Sequence, residues 1–179
     1  MDDEPLPKIT LEVAEDKIGP FLARRPVIRN AGDKPISLRR YPLPRIELDR
    51  FDSLDGLRAF GTFGLSEISE GDPIGSYAHI AVVEPRSRRG TVCAWLTHER
   101  ASGVFFLKRE QDRLFVEPRL DFGHLHLEPG QSVALETMLI GHFDDARLGL
   151  EAYAGAVAEH YGISLPEQPT VYCSWYHAG

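Results

Sequence analysis

Between residues 9 and 140, hydrophobic residues recur in short runs separated by turn-forming residues, and no helical period of 3.6 crosses this stretch. Ile9, Leu11 and Val13 alternate with polar residues, which is the period of a strand with one buried face. Further candidate strands, each bounded by Gly, Pro, Asp or Ser, span residues 45–49, 57–63, 77–83, 91–97, 103–108, 113–117, 122–127 and 132–140. Many short strands separated by turn residues predict a mostly β fold, an antiparallel β-sandwich of the supersandwich type.

A hairpin is predicted near the start of this region. Residues 26–29 and 36–39 both have strand composition, and the segment between them, Asn-Ala-Gly-Asp-Lys-Pro, is rich in turn-forming residues. We therefore expect these two strands to pair with each other.

The pattern changes after Gly141 from a strand period to a helical one. Asp144 or Asp145 can cap a helix, apolar residues then recur along one stripe, and Gly162 can end the helix. This amphipathic helix needs an apolar surface to lie against, either the sandwich or a second domain. The sequence thus predicts a sandwich over residues 1–143 and a linker helix over residues 144–165.

The last segment, residues 166–179, has a different character. Pro166 and Pro169 mark a connector, and residues 170–176 are β-branched, aromatic and uncharged. This composition is typical of a strand buried on both faces, as in a parallel sheet. We expect residues 166–179 to begin a new structural unit.

Composition narrows the function classes. A chain of 179 residues with 42% hydrophobic residues suffices for one buried domain, and a formal charge of −7 disfavours nucleic acid as a partner. No apolar run approaches the ~18 residues of a membrane span, and the acidic start lacks a signal sequence, so we expect a soluble, cytoplasmic protein with no membrane partner. Cys93 and Cys173 are too few for a disulfide framework and are expected to be reduced.

The end of the chain carries a family resemblance. The segment Pro169-Thr-Val-Tyr-Cys-Ser-Trp-Tyr176, preceded by the helical residues 150–161, resembles the junction in α-galactosidases of glycoside hydrolase family 36. In that family a β-sandwich leads through a helix into a (β/α)8 barrel whose first strand reads Gly-Trp-Cys-Ser-Trp-Tyr. Residues 127–133 and the loop 84–90 extend the resemblance, which covers about residues 77–179. The chain departs from the signature at Val171 and Tyr172, where the family has Gly and Trp.

The resemblance implies that the chain is the amino-terminal, non-catalytic portion of a retaining glycosidase, ending in one orphan strand of a truncated barrel. The family cleaves terminal α-galactosides through a covalent intermediate, with two aspartates from later barrel strands and without a metal or cofactor. No catalytic residue is therefore assigned, and the fragment is expected to be inactive. Trp175 matches the second Trp of the signature, which implies contact with the sugar. The implied partner is a galactoside bound by the intact parent, and a homo-oligomer stays open.

Two alternatives come from the residues themselves. The first is a free-standing carbohydrate-binding sandwich whose site would draw on Trp95, Tyr77 and His79. The second is a cupin-like metal protein, because His124 and His126 lie two positions apart and share a strand face, where imidazoles can ligate a metal.

Two charged clusters have simpler interpretations. A basic turn containing Arg86, Arg88 and Arg89 could grip a phosphate, but its flanking Pro and Gly favour a solvated hairpin tip. Asp144 and Asp145 could be paired catalytic carboxylates, but helix capping explains them better. The sequence contains no GxxxxGK, GxSxG or HExxH motif, which disfavours a self-contained hydrolase.

Overall fold

A computed structural model of the chain describes residues 8–164. Trp175, Cys173 and the predicted strand at residues 170–176 lie outside the described residues. Within that range the chain forms thirteen strands and one helix. In chain order they are β1 (Ile9–Ile18), β2 (Phe21–Asn30), β3 (Ile36–Pro42), β4 (Ile46–Glu47), β5 (Arg58–Gly61), β6 (Gly64–Glu67), β7 (Ile74–Tyr77), β8 (His79–Val83), β9 (Gly90–Trp95), β10 (Ser102–Glu110), β11 (Arg113–Leu127), β12 (Ser132–Ala134), β13 (Met138–Phe143) and α1 (Ala146–Tyr161).

The strands form two antiparallel sheets, which confirms the predicted mostly β sandwich. The large sheet has eight strands in the order β1-β2-β13-β9-β8-β5-β6, with β12 also paired to β2. The small sheet has five strands in the order β3-β11-β10-β7, with β4 also paired to β11. No helix within residues 8–164 has the length and hydrophobicity needed to cross a bilayer.

The predicted hairpin between residues 26–29 and 36–39 is wrong. β2 pairs instead with β1, and β3 pairs with β11 in the other sheet. The turn residues between them therefore carry the chain from the large sheet to the small one. Asn30 is fully buried at this crossover, where its Nδ2 donates to the carbonyl oxygens of Lys34 at 2.8 Å and Leu127 at 3.1 Å.

Two other strand boundaries also differ from the pattern. Residues 113–117 and 122–127 belong to one long strand, β11, whose pairing with β3 shifts register between Asp121 and Leu125. Residues 132–140 are divided between β12 and β13. The break contains Glu136, whose buried carboxylate accepts hydrogen bonds from the loop that follows β9. Alternation alone does not reveal such bulges and breaks.

The main core lies between the sheets. Trp95 is fully buried there and stacks on Phe105, with ring centroids 5.2 Å apart. Gly103 is required beside this indole, because a Cβ at that position would lie 2.2 Å from the Trp95 ring. Cys93 is a buried, free cysteine, and burial raises the pKa of its thiol to about 12.

The helix packs on the outer face of the large sheet and forms a third layer. Asp145 caps its first turn and Gly162 ends it in the left-handed conformation, as the sequence predicts. The sandwich, not a second domain, is therefore the surface that receives the stripe of α1. A second core cluster forms between helix and sheet, including Phe21, Ala23, Ala81, Val92, Ala94, Leu139 and, on α1, Leu150, Tyr153, Ala156 and Val157.

Candidate functional site

The predicted sugar-binding patch is not assembled. Trp95 is wholly inside the core, so its ring cannot stack on a ligand. Tyr77 is 59% exposed at the end of β7 in the small sheet. His79 is half-buried on the large sheet, with its ring 6.1 Å from that of Phe60 and 6.0 Å from that of Tyr153. The predicted strand 77–83 is wrong as a single element, because Tyr77 ends β7 in the small sheet and His79 begins β8 in the large sheet.

The two candidate metal ligands each have a protein partner of their own. His124 Nδ1 lies 2.6 Å from the Ser37 hydroxyl, and His126 Nε2 lies 3.1 Å from a carboxylate oxygen of Glu128. Among residues 8–164 no group of three or more His, Cys, Asp or Glu side chains is close enough to hold a metal ion. The metal-binding alternative therefore has no assembled site in that part of the chain.

The basic turn lies at the tip between β8 and β9, and its three arginines are exposed as predicted. Arg88 adopts a positive φ of 68° at this tip, and its carbonyl oxygen accepts a hydrogen bond of 2.9 Å from the Ala146 amide. The turn is thereby tied to the start of α1. Arg89, unlike Arg86 and Arg88, also lines a cleft in the surface.

This cleft, named here the Arg89 cleft, lies where β9 begins and β13 ends. It has a volume of about 240 Å³. Its side chains come from the loop between β4 and β5, the tip before β9, and both strands. The residues that line the cleft include Arg50, Phe51, Arg89, Thr91, His142 and Asp144. A smaller cavity of about 110 Å³ shares Arg50, Phe51 and Arg89 with it and adds Asp52, Ser53, Asp55 and Glu84.

Strand register places a buried hydroxyl and an exposed imidazole of the cleft side by side. Thr91 and His142 are direct partners in the β9–β13 pair, so their side chains lie on the same face of the sheet. The next pair on that face, Cys93 and Ile140, belongs to the main core. The cleft is thus the polar end of the space between the two sheets. Thr91 is 1% exposed, and its hydroxyl lies 2.8 Å from His142 Nδ1.

Gly90 lines the cleft, and no larger residue fits at this position. A Cβ on Gly90 would lie 2.4 Å from the Val82 carbonyl oxygen and 2.8 Å from Ala146 Cβ. Neither atom can move independently, because one belongs to β8 and the other begins α1. The close approach of sheet and helix at Gly90 therefore fixes the shape of this end of the sandwich.

The charges around the cleft are of both signs. Desolvation lowers the pKa of His142, and Arg50 lowers it further while Asp49 opposes the change. Arg50 has one distant ion pair, at 3.9 Å to Asp49. Arg89 has no ion-pair partner among residues 8–164, and Asp144 has none there either. The cleft therefore offers hydrogen-bond donors and acceptors that the described residues leave uncommitted.

Sequence reasoning identified Arg89 as part of a basic turn but did not identify Arg50, Thr91 or His142 as its neighbours. Arg50 and His142 are far apart in the chain and carry no motif. Their proximity depends on the crossover between the sheets and on the β9–β13 register, neither of which a local pattern encodes.

Comparisons with known proteins bear on the fold. No protein-family model and no curated protein sequence matches the chain. Among solved structures, the α-galactosidase AgaB of family 36 from Geobacillus stearothermophilus matches with a TM-score of 0.57 and 12% identity, over 78% of this chain and 22% of that one. The galactosidase domain of the α-galactosidase–sucrose kinase AgaSK matches with a TM-score of 0.56 and 9% identity, over 76% of this chain and 22% of that one.

A third solved structure with a similar fold is not a galactosidase. A putative aldose 1-epimerase from Klebsiella pneumoniae matches with a TM-score of 0.54 and 11% identity, over 91% of this chain and 53% of that one. At such low identity the likeness establishes the fold alone. The chain spans about a fifth of the length of the two galactosidases and about half of the epimerase. The chain therefore has a sandwich fold that is also present in family 36 α-galactosidases, the family that its sequence resembles.

Proposed function

We propose that this chain is the amino-terminal, non-catalytic portion of a retaining α-galactosidase-like glycosidase. The observation that carries the proposal is the shared sandwich fold, which covers most of this chain but only about a fifth of two α-galactosidases. The sequence of residues 169–176 supports it independently, since it resembles the first barrel strand of the same family. The proposed parent acts on terminal α-galactosides in the cytoplasm.

In this proposal the sandwich is a rigid support for the barrel. The helix α1 packs on the large sheet through an apolar cluster. The Tyr153 hydroxyl adds a hydrogen bond by donating to the Trp95 carbonyl oxygen at 2.9 Å. The end of α1 therefore sets where the following residues leave the sandwich. Residues 166–179 would start the barrel, and Trp175 would contact the sugar there.

The reaction itself requires residues that this chain does not supply. Retaining hydrolysis needs two carboxylates about 5–5.5 Å apart, one as nucleophile and one as acid and then base. A (β/α)8 barrel takes about 250 residues, many more than the segment 166–179 provides. The parent would form a covalent galactosyl intermediate on later barrel strands, while the 179-residue chain would be inactive.

The test is the reading frame beyond Gly179 together with the activity of its product. We expect a longer product that releases galactose from an aryl α-galactoside, first as the α-anomer by NMR, and a 179-residue chain without turnover. Trp175→Ala in the longer product should raise KM more than Trp175→Phe does. A native stop codon directly after Gly179, or galactose release by the 179-residue chain, would overturn the proposal.

A further inference from the structure

We propose that the Arg89 cleft binds a single ring of a neutral saccharide. The inference goes beyond the proposed function, because it concerns a site in the sandwich and does not require the barrel. It rests on the size of the cleft, on the mixture of donors and acceptors along its wall, and on one half-buried aromatic ring at its rim.

The volume limits the ligand to a small one. Sites for drug-sized molecules have volumes of about 300–1,000 Å³. The cleft, at about 240 Å³, is smaller and opens beside the 110 Å³ cavity. One pyranose ring would occupy the main cleft, and a linked substituent could extend past the shared residue Arg89 toward Glu84.

The polar groups suit hydroxyls better than an anion. A sugar hydroxyl both donates and accepts hydrogen bonds, so a wall that carries both signs of charge can hold several of them. Arg50 and Arg89 supply donors, and Asp144 supplies an acceptor. An anion would have to approach the Asp144 carboxylate and that of Asp49, which lies beside Arg50. The balance of charge therefore disfavours a phosphate or a carboxylate ligand.

The inner wall adds a group that can both donate and accept. His142 Nδ1 lies 2.8 Å from the Thr91 hydroxyl, which holds the ring in place. Its Nε2 has no hydrogen-bond partner among residues 8–164, and it is a donor or an acceptor according to the tautomer. At the rim, Phe51 is half-buried against the main core and presents a fixed apolar surface to the C–H face of a pyranose.

Binding can be tested by NMR titration of the 179-residue chain. Three probes are added separately at equal ionic strength: methyl α-D-galactopyranoside, methyl α-D-glucopyranoside and inorganic phosphate. We expect a methyl glycoside to shift the amide signals of Gly90, Thr91 and Phe143 saturably, with a dissociation constant on the order of millimolar. Phosphate should leave those signals in place.

Variants separate this cleft from nonspecific contact. Arg89→Ala should weaken binding about fivefold or more, since it removes a hydrogen-bond donor to the ligand. Thr91→Val should also weaken binding, because it removes the buried hydroxyl that holds the His142 ring in place. Arg86→Ala is the matched control, because it removes an exposed arginine from the same turn outside the cleft. If the buried Thr91 substitution disturbs folding, the exposed Arg89 substitution still decides the question.

Three outcomes would overturn the inference: no saturable shift with either glycoside, shifts caused by phosphate instead, or equal binding by the Arg86 and Arg89 variants. None of these results would bear on the proposed glycosidase role, which depends on the activity of the longer product. Conversely, a stop codon after Gly179 would overturn that role and leave a positive titration intact.

Discussion

The outer faces of the two sheets are covered in different ways. On the large sheet, small or apolar residues such as Ala81, Ala94 and Leu139 lie under α1 and form a closed cluster with it. As a result, β9 is buried along its whole length, since one face meets the main core and the other meets the helix. On the small sheet, ion pairs between neighbouring strands take the place of a helix.

Two arginine side chains also shield an apolar ring on the outer face of the small sheet from solvent. Phe115 lies between two residues that face the core, Leu114 and Val116, yet is itself only 2% exposed on the opposite face. The guanidinium carbons of Arg45 and Arg113 lie 3.9 Å and 4.7 Å from the centroid of its ring. A strand can therefore be apolar on both faces without packing against a second layer.

The helix on the large sheet and the ion pairs on the small sheet differ in cooperativity. The helix contributes several apolar side chains that are buried only if the whole element docks. The ion pairs are separate and solvent-exposed, and each contributes little. Removing part of the helix should therefore lower the free energy of unfolding far more than removing one ion pair from the small sheet.

Deleting α1 should have the largest effect. A chain ending at residue 145 would expose the outer cluster of the large sheet, where full burial of each large apolar side chain contributes about 1.5–3 kcal/mol. We expect it to aggregate or to melt far below the 179-residue chain in circular dichroism. The matched control ends at residue 165 and should keep the melting temperature. Equal melting of both truncations would mean that α1 is dispensable, and unfolding of the control would mean that the boundary at residue 165 is wrong.

An aspartate beneath the helix should have the next largest effect. Ala94 is fully buried, so Ala94→Asp places an unpaired charge in the cluster and should cost about 3–5 kcal/mol in urea unfolding. Lys108→Asp introduces the same residue on the outer face of the small sheet. It loses the ion pair with Glu117 but should cost only about 1 kcal/mol. A similar loss of unfolding free energy in the two variants would show that the helix-covered face is no more sensitive than the face covered by ion pairs.

The Tyr153 hydroxyl provides a test of a single contact beneath α1. Tyr153→Phe removes its hydrogen bond to the Trp95 carbonyl and should cost about 0.5–1.5 kcal/mol in the same unfolding measurement. The ring and its packing remain, so secondary structure should not change. A stability equal to that of the unsubstituted chain would show that water replaces the bond.

Acid should lower the free energy of unfolding through His79, whose ring lies 6.0 Å from that of Tyr153 on α1. Burial lowers the pKa of His79, so the unfolded chain binds its proton more readily than the folded one. Stability contributed by the neutral ring is complete above about pH 6.5 and is lost as the pH falls through the lowered value. The urea midpoint should therefore decrease between pH 7.5 and 5.5, above the range in which carboxylates titrate. His79→Gln should reduce that decrease, leaving the part due to His142, and an undiminished decrease would assign the effect elsewhere.

A single ion pair on the small sheet should have the smallest effect. Lys108 Nζ lies 2.7 Å from a carboxylate oxygen of Glu117 across the β10–β11 pair. Glu117→Gln should cost about 0.2–1 kcal/mol, and the loss should shrink in concentrated salt because exposed charges are screened. A loss above that range, insensitive to salt, would indicate that the pair is part of a cooperative network.

The local features of the fold were predictable from short stretches of sequence. Short apolar or alternating runs between turn residues predicted most of the strands, and Asp144 or Asp145 together with Gly162 predicted both ends of α1, because capping and pleat depend on neighbours a few residues away. The same reasoning failed for the hairpin at residues 26–39, since turn residues permit a reversal but do not decide which strand receives the chain.

Side-chain period and helix caps act over a few residues, so the mostly β sandwich and the helix that follows its last strand, β13, could be predicted from the sequence. Long-range packing, by contrast, places Trp95 in the core, α1 against the large sheet, and Arg50, Arg89 and His142 in one cleft. These outcomes depend on strand order and register. Both are set by contacts between residues far apart in the chain, where burial of the whole core, not any local preference, selects the arrangement.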